Sequence, residues 1–284
     1  MEWITRMNRA LEYLEEHLTQ GADLEEAAKI ACCSVYHFQR IFPCLAGIPL
    51  SEYLRRRRMS LAASDLLSGQ KVVDVALKYG YDSPTAFNRA FQSVHGMPPS
   101  KVQKGAPLKA FPPISFRITV KGATEMEYRI VNREAFRVVG ISAPISPNIE
   151  ESFREVPALW DKADRENLPA RLAPLMDPEN PGLLGICDGV GEHPRYIIAV
   201  ASEVPLGDDL AGLEEHRVPG GTWAVFSGEG PMPGAIQELE QRVVAEWLPT
   251  SGYQYANAPD IEVYLHPDPK NARFQVWIPV VKAE

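Results

Sequence analysis

The side chains with the clearest chemical potential stand at helical spacing in one short segment. Positions i, i+3, i+4 and i+7 of that segment are Thr85, Asn88, Arg89 and Gln92. A helix would gather these four on one face. Arginine can form two hydrogen bonds with guanine and asparagine or glutamine two with adenine, while threonine can contact a thymine methyl group or a phosphate. The stripe therefore predicts a surface that reads base edges, with a merely solvated helix face as the alternative.

A second copy of this segment lies 49 positions earlier in the chain. The coinciding residues are Ala27 and Ala76, Phe38 and Phe87, Arg40 and Arg89, and Phe42 and Phe91. Both copies end alike, in GIPLS at 47–51 and GMPPS at 96–100, which predicts a helix stop, a turn and a serine cap. Two copies of one helical module, joined by a helix over 51–67, are the simplest interpretation.

Each copy predicts two short helices joined by a tight turn. In the first copy Asp23 and Ser34 are the candidate caps, and in the second Gly80 ends one helix before Ser83 starts the next. The polar residues that project from the second helix of the first copy are Tyr36, Gln39 and Arg40. Such a pair of helices, with a polar second member, is typical of a module that places a recognition helix in a major groove.

Basic charge is concentrated in the same part of the chain. The net charge of the whole sequence is −8, yet residues 27–105 hold 11 lysines and arginines against 4 aspartates and glutamates. Residues 106–284 hold 16 against 26 and are poorly suited to polyanions. The positive segment has the charge pattern of a module that neutralises phosphates. Within Arg55–Arg58 four consecutive residues cannot share one helix face, so we expect one or two, Arg57 among them, to reach phosphate.

These residues carry a family resemblance over 6–104. The second copy, GYDSPTAFNRAFQSVHGMPPSK, resembles the signature of the DNA-binding domain of AraC/XylS-family regulators. The resemblance implies double-stranded DNA and RNA polymerase as partners. It also implies base-reading positions, which fall on Tyr36, Gln39, Arg40, Pro84, Thr85, Asn88 and Arg89. Pro84 departs from the polar residue of some members, so the second unit could contact mainly the DNA backbone.

Several other classes of protein do not fit the sequence. The four cysteines include no CxxC pair and the six histidines are scattered, so we expect no metal, disulfide or cofactor. No apolar run approaches the ~20 residues of a membrane span. The N-terminal segment has the pattern of an amphipathic helix rather than of a signal peptide, so we expect a cytoplasmic protein without a membrane partner.

The pattern changes after Gly105. Residues 106–116 contain Pro107, Pro112 and Pro113 and predict a short stiff linker. Strand and helix patterns then recur in the order strand, helix, strand, strand, once over 128–204 and again from Trp223 to Val281. The fold prediction is an all-α tandem helix-turn-helix domain over 1–105, then an α+β domain of two strand-helix-strand-strand repeats over 117–284, with paired antiparallel sheets around a cleft.

Strand alternation makes Glu262 the candidate ligand-binding residue of this second domain. It shares one strand face with Asp260 and Tyr264, although one strand does not reveal which face lines the cleft. On a cleft face, a carboxylate among aromatic rings suits a lipophilic cation. The candidate aromatic walls, each of which could instead be plain core, are Trp160, Tyr196, Trp223, Trp247, Tyr264 and Trp277.

The motifs EYRIVNREAFRVVGI and DIEVYLHPDP resemble the GyrI-like, or Rob-type, effector-binding domain over about 110–284. The resemblance implies a pocket for small lipophilic molecules with an acidic residue at Glu262. Three functions follow as hypotheses: an effector-sensing transcription regulator, a protein whose GyrI-like domain hydrolyses reactive small molecules, and an architectural DNA binder. The second would depend on Glu262, because no Ser-His-Asp or Cys-His arrangement is evident. The third leaves the large acidic domain without a purpose.

Overall fold

A computed structural model describes residues 2–19, 21–102, 105–117, 125–146, 149–189, 194–207, 210–266 and 268–283. The N-terminal region is helical, with α1 (Glu2–Glu16), α2 (Leu24–Ile30), α3 (Val35–Ala46), α4 (Leu50–Leu67), α5 (Val72–Lys78), α6 (Pro84–His95) and a 3-10 turn at Pro99–Lys101. Among the described residues no helix has the length and apolar character needed to cross a bilayer.

Local capping interactions explain where the short helices begin and end. The side chain of Asp23 accepts hydrogen bonds from two backbone amides at the start of α2, and Ser34 and Ser83 do the same for one amide each at α3 and α6. Gly47 and Gly96 terminate α3 and α6 with φ of 70° and 75°, a left-handed conformation that glycine adopts at little cost. The predicted caps Asp23, Ser34 and Ser83 and the predicted stops at Gly47 and Gly96 are confirmed.

The start of the connecting helix differs from the expectation. Helix α4 begins at Leu50 after Pro49, with no side-chain cap, so Ser51 already lies inside the helix. In the second copy Ser100 lies within the 3-10 turn. Proline is compatible with the start of a helix, because its fixed φ, −60° at Pro49, suits the first turn and its missing N–H is not needed there.

The C-terminal region has the predicted α+β composition. Its elements are β1 (Tyr128–Arg133), β2 (Phe136–Pro144), α7 (Ile149–Arg165), α8 (Leu168–Leu172), β3 (Leu183–Asp188), β4 (Arg195–Ala201), β5 (Glu214–Val218), β6 (Gly221–Gly230), α9 (Gly234–Arg242), a π-helical turn (Val243–Trp247), β7 (Tyr253–Tyr255), β8 (Asp260–Tyr264) and β9 (Ala272–Lys282). The two strand-helix-strand-strand units are β2-α7-β3-β4 and β6-α9-β8-β9, which confirms the predicted repeat.

The two repeats form one continuous antiparallel sheet rather than two paired sheets. The strand order is β1-β6-β9-β8-β3-β4-β2-β5, with β7 paired to β9. The halves join where β3 pairs with β8, and the edge strands are exchanged: β1 precedes β2 but pairs with β6, and β5 precedes β6 but pairs with β2. Neither half can complete its sheet alone, so the repeats form one unit.

The two faces of this sheet have different neighbours. One face carries α7 and α8 over the first half, in a core that contains Ile198 and Val200, and α9 over the second half, in a core that contains Phe226 and Phe274. The opposite face forms a separate apolar cluster that includes Trp223. Successive residues of a strand point to opposite sides, so position along each strand decides which core a side chain joins.

The first helix-turn-helix unit shares its core with the C-terminal domain. Buried residues of α1, α2 and α3 form one apolar cluster with residues of β6, β9 and the π-helical turn. The second unit, built from α4, α5 and α6, has its own cluster around Phe87 and Phe91. The earlier part of the proline-rich segment packs on the second unit through Leu108 and Phe111. Its end lies against the first unit, where the backbone of Phe116 exchanges two hydrogen bonds with the side chain of Asn8. The two copies of the module are therefore in different structural environments.

Candidate functional site

Glu262 lies at the centre of a cluster of aromatic and acidic side chains on the helix-bearing face of the sheet. Its Oε2 accepts hydrogen bonds from the hydroxyl groups of Tyr196 and Tyr264, both at 2.8 Å. The indole of Trp160, on α7, donates to the Tyr196 hydroxyl at 3.1 Å and meets the Tyr264 ring edge-on at 5.1 Å between centroids. Gly185 on the neighbouring strand makes room, because a Cβ there would lie 2.2 Å from the Tyr196 hydroxyl.

Three of the predicted aromatic walls lie elsewhere. Trp223 and Trp277 belong to the cluster on the opposite face of the sheet, where Trp277 lines a separate cavity of about 440 Å³. Trp247 packs against Phe226 and Tyr253 in the core shared with the first helix-turn-helix unit. The sequence does not reveal this separation, because composition identifies an aromatic side chain but not the face on which its strand presents it.

The recognition helix α3 lies directly against the Glu262 cluster. The guanidinium of Arg40 donates to Asp260 at 3.1 Å, forms a short ion pair with Glu240 on α9, and lies 3.9 Å from Glu262 Oε1. The Arg40 side chain retains only 16% of its exposure. A predicted base-reading residue is thus held by three carboxylates of the C-terminal domain.

The neighbouring residues of α3 extend this contact. The Tyr36 hydroxyl is 2.7 Å from the sulfur of Cys187 on β3, and both residues are buried. The Tyr36 ring rests on the backbone at Gly189, where a Cβ would lie 2.3 Å from the ring. His37 is fully buried, its ring is tilted by 40° against that of Tyr255 with 4.7 Å between centroids, and its Nε2 lies 3.5 Å from an Asp260 carboxylate oxygen. Gln39, the remaining candidate on α3, is half-buried.

Burial and mutual attraction together set the charges of this cluster. Burial opposes the Arg40 cation, but Glu240 and Asp260 outweigh it and raise the pKa of Arg40. Burial would raise the pKa of Asp260, yet Arg40 and His37 hold it below its ordinary value. For Glu240 burial prevails and raises the pKa to about 7. Burial also raises the pKa of Cys187, to about 12. The single positive charge of Arg40 is therefore shared among three carboxylates, those of Glu240, Asp260 and Glu262.

The second recognition helix has a different environment. On α6, Thr85 and Arg89 are exposed and Asn88 is half-buried, while Phe87 and Phe91 face the core of the second unit. Pro84 occupies the first turn after the Ser83 cap and is exposed. The polar stripe that the sequence predicted is therefore open to a partner on α6, whereas its counterpart on α3 is covered.

Arg57 is not placed as a phosphate contact requires. Its side chain forms a two-pronged ion pair with Glu15 on α1, at 2.6 to 3.0 Å, and also donates to the carbonyl of Phe111. The hydrogen bonds to Glu15 raise the pKa of Arg57, and the residue is buried. The expectation of a phosphate contact is corrected: position 57 faces α1, while Arg55 on the same helix is exposed and pairs with Glu52.

Sequence reasoning did not identify Glu240 or Cys187. Nothing in the pattern of α9 distinguishes Glu240 from the neighbouring exposed Glu238, because the difference comes from the helix that packs against it. Asp260 was noted only as a neighbour of Glu262 on one strand face. Among the described residues no group of histidine, cysteine, aspartate and glutamate is arranged to hold a metal ion.

Comparison with known proteins finds two matching families. The family described as GyrI-like small molecule binding domain matches residues 126–281, and one described as helix-turn-helix domain matches residues 27–105. Right origin-binding protein of Escherichia coli (strain K12) is 26% identical over 281 residues, 94% of this chain and 95% of that protein. Transcriptional regulator Rob of Salmonella typhimurium is 25% identical with the same coverage. HTH-type transcriptional activator AarP of Providencia stuartii is 37% identical over 95 residues, 33% of this chain and 70% of that protein.

Arg57→Ala should destabilise the protein. The substitution leaves the Glu15 carboxylate without its partner in a largely buried setting, so we expect a loss of about 3 kcal/mol in the free energy of unfolding, measured by urea titration. Arg55→Ala is the control, because its side chain is 47% exposed and its ion pair contributes below about 1 kcal/mol. Equal stabilities of the two variants would contradict the structural role of Arg57.

Glu240 should make stability decline as pH rises through neutrality. Its folded pKa lies above its unfolded value, so between the two the folded protein holds a proton that the unfolded chain has released. Raising the pH from about 5 to about 7.5 therefore costs wild-type stability that Glu240→Gln does not lose. Urea unfolding of both proteins across this range measures the difference. A steeper decline in the variant than in wild type would contradict the assignment.

Proposed function

Since this chain belongs to the GyrI-like family of small-molecule-binding domains, we propose that its C-terminal domain binds a lipophilic cation whose charge is neutralised by Glu262. The AraC-type helix-turn-helix domain that precedes it makes the chain a DNA-binding transcription regulator. Ligand binding would thus be converted into altered DNA binding, with RNA polymerase at the same promoter as the partner that responds.

One observation carries the choice of a cation. The Glu262 carboxylate lies among aromatic rings and has a guanidinium 3.9 Å away, so the site already accommodates a flat positive group. Aromatic faces attract cations and apolar bodies alike. A buried carboxylate is costly without a positive partner or hydrogen bonds. A ligand that combines a positive charge with apolar surface would satisfy both parts of the site.

We propose binding without turnover at this site. The Oε2 atom of Glu262 accepts hydrogen bonds from two tyrosine hydroxyls, and its Oε1 lies 3.9 Å from the Arg40 guanidinium. The nearby thiol of Cys187 is buried with a raised pKa. A general base needs a free lone pair directed at the proton it removes, and a cysteine nucleophile needs its thiolate form. The remaining oxygen of Glu262 faces a cation and the Cys187 thiol is held protonated, which favours a sensing role over hydrolysis.

Glu262→Gln should reduce affinity for a lipophilic cation at least tenfold. The amide keeps the size of the side chain but removes the charge, and one lost charge-assisted interaction corresponds to about a tenfold change or more. Isothermal titration with tetraphenylphosphonium, and with tetraphenylborate as an anion of the same shape, measures the effect. Glu179→Gln is the matched control, because Glu179 is a carboxylate that lines the cavity on the opposite sheet face.

Unaltered cation affinity in Glu262→Gln, or wild-type binding of the anion only, would contradict the proposed ligand class. A loss confined to Glu179→Gln would instead move the ligand to the opposite cavity.

We also propose that the exposed stripe of α6, Thr85, Asn88 and Arg89, contacts DNA. Arg89→Ala should weaken binding to the operator by about 1–3 kcal/mol and relax preference at one or two base pairs, as expected for a lost bidentate contact. Arg9→Ala, an exposed arginine of α1, removes the same charge and is the control. Fluorescence anisotropy on operator and random duplexes at fixed salt measures both. Equal losses on the two duplexes for Arg89→Ala would assign it to the DNA backbone.

A further inference from the structure

We propose that the carboxylates Glu240, Asp260 and Glu262 are a shared binding seat: they hold the recognition helix α3 through Arg40, and a lipophilic cation takes that place and releases α3 for DNA. This inference rests on the proposed function for the charge of the ligand. It adds that the ligand and the recognition helix α3 cannot occupy the three carboxylates at the same time.

The contact between α3 and the C-terminal domain is extensive and specific. Arg40 pairs with carboxylates from α9 and β8. The Tyr36 hydroxyl contacts the sulfur of Cys187 on β3. His37 is buried beside Asp260 and Tyr255. These side chains come from adjacent turns of one helix and reach four separate elements of the domain: α9, β3, β7 and β8. The helix is held as a rigid ligand would be, by charge, hydrogen bonding and ring packing together.

DNA binding by α3 is incompatible with this arrangement. An α-helix with its side chains is about 10–12 Å wide and fills the major groove, which is about 12 Å wide. The face of α3 that would enter the groove bears Tyr36 and Arg40, and that face is covered by the sheet and by α9. The docked helix must therefore leave the C-terminal domain before it can read bases. Helix α6 is exposed in the same state, so a weaker contact with DNA remains available.

The charge balance explains why a cation would be the releasing ligand. Removing Arg40 leaves three carboxylates close together in a poorly hydrated site, which is costly unless another positive group replaces it. A lipophilic cation supplies that charge, and its apolar body can pack on Trp160 and Tyr264 once α3 has left the site. Because the coupling is reciprocal, DNA that captures α3 should also raise the affinity for the cation.

Two substitutions on the C-terminal side test the docking without altering the DNA-contact residues. Gly189→Ala places a methyl group against the Tyr36 ring and changes no charge. Asp260→Asn removes a carboxylate from Arg40 while keeping the side-chain shape. We expect each full-length variant to bind operator DNA about tenfold more tightly than wild type without ligand, because a larger fraction has α3 free.

Matched controls separate release of α3 from general effects. Gly234→Ala adds a methyl group where no atom lies within 4 Å, and Asp161→Asn removes an exposed carboxylate of α7. Both should bind operator DNA like wild type. A variant that merely loosened the fold would lose DNA affinity, so the predicted gain is specific to undocking. Unaltered or weaker DNA binding in both Gly189→Ala and Asp260→Asn would overturn the inference.

Cys187 reports the position of α3 in the wild-type chain. Its thiol is buried beneath Tyr36 and its pKa is raised, so it should react slowly with a thiol reagent while α3 is docked. We expect saturating tetraphenylphosphonium to accelerate the labelling of Cys187 at least tenfold. Mass spectrometry of the peptide that contains Cys187 measures the rate. Tetraphenylborate should leave the rate unchanged, and the exposed Cys32 should react equally under all conditions.

Calorimetry with the same cation distinguishes the proposed ligand class from the proposed competition between ligand and α3. Gly189→Ala should bind tetraphenylphosphonium more tightly than wild type, because its seat is vacant more of the time. Failure of this variant to bind the cation at all would contradict the proposed function. Binding that leaves Cys187 reactivity and DNA affinity unchanged, or that slows labelling, would overturn the shared seat while leaving the ligand class intact.

Discussion

The placement of one guanidinium among three carboxylates organises the relation between the two halves of this protein. Arg40 lies on a helix of the DNA-binding region, whereas Glu240, Asp260 and Glu262 belong to the small-molecule-binding domain. Buried charges are tolerated only when they are paired, so the acidic cluster requires a positive group and the recognition helix supplies it. The domain interface and the proposed ligand site are consequently the same place.

The architecture of the sheet creates that place. Because β3 and β8 join the two repeats, residues of β8 lie near the centre of the sheet, and alternation along β8 directs Asp260, Glu262 and Tyr264 to the helix-bearing face. Helices α7 and α9 cover the two halves of this face. The first recognition helix packs between them, with Tyr36 over the first half and Arg40 beside α9.

The two helix-turn-helix units, so similar in sequence, have unequal roles in the structure. The first shares its core with the C-terminal domain, while the second has a core of its own and an exposed recognition helix. The resemblance between the copies extends to Arg40 and Arg89, which are equivalent in the repeat. One is held by carboxylates and the other is exposed to solvent. In the regulation proposed above, this difference lets one module retain DNA while the other responds to a ligand.

Local signals in the sequence were sufficient for the helices of both modules, the repeated strand order and the family, but not for α8, β5 and β7. Caps such as Ser34 and Ser83, glycine stops and hydrophobic spacing act within a few residues, so they predicted the helices and the repeated strand order correctly. Strand alternation, which is also local, placed Glu262 on one strand face with Asp260 and Tyr264, and the family resemblance made it the candidate ligand-binding residue. The burial of Arg57 against Glu15, the separation of Trp223 and Trp277 from Glu262, and the docking of Arg40 were not accessible in this way. Each depends on which surfaces meet across large distances in the chain, and a polar side chain suited to bind DNA is equally suited to bind a carboxylate until the tertiary structure decides which one it meets.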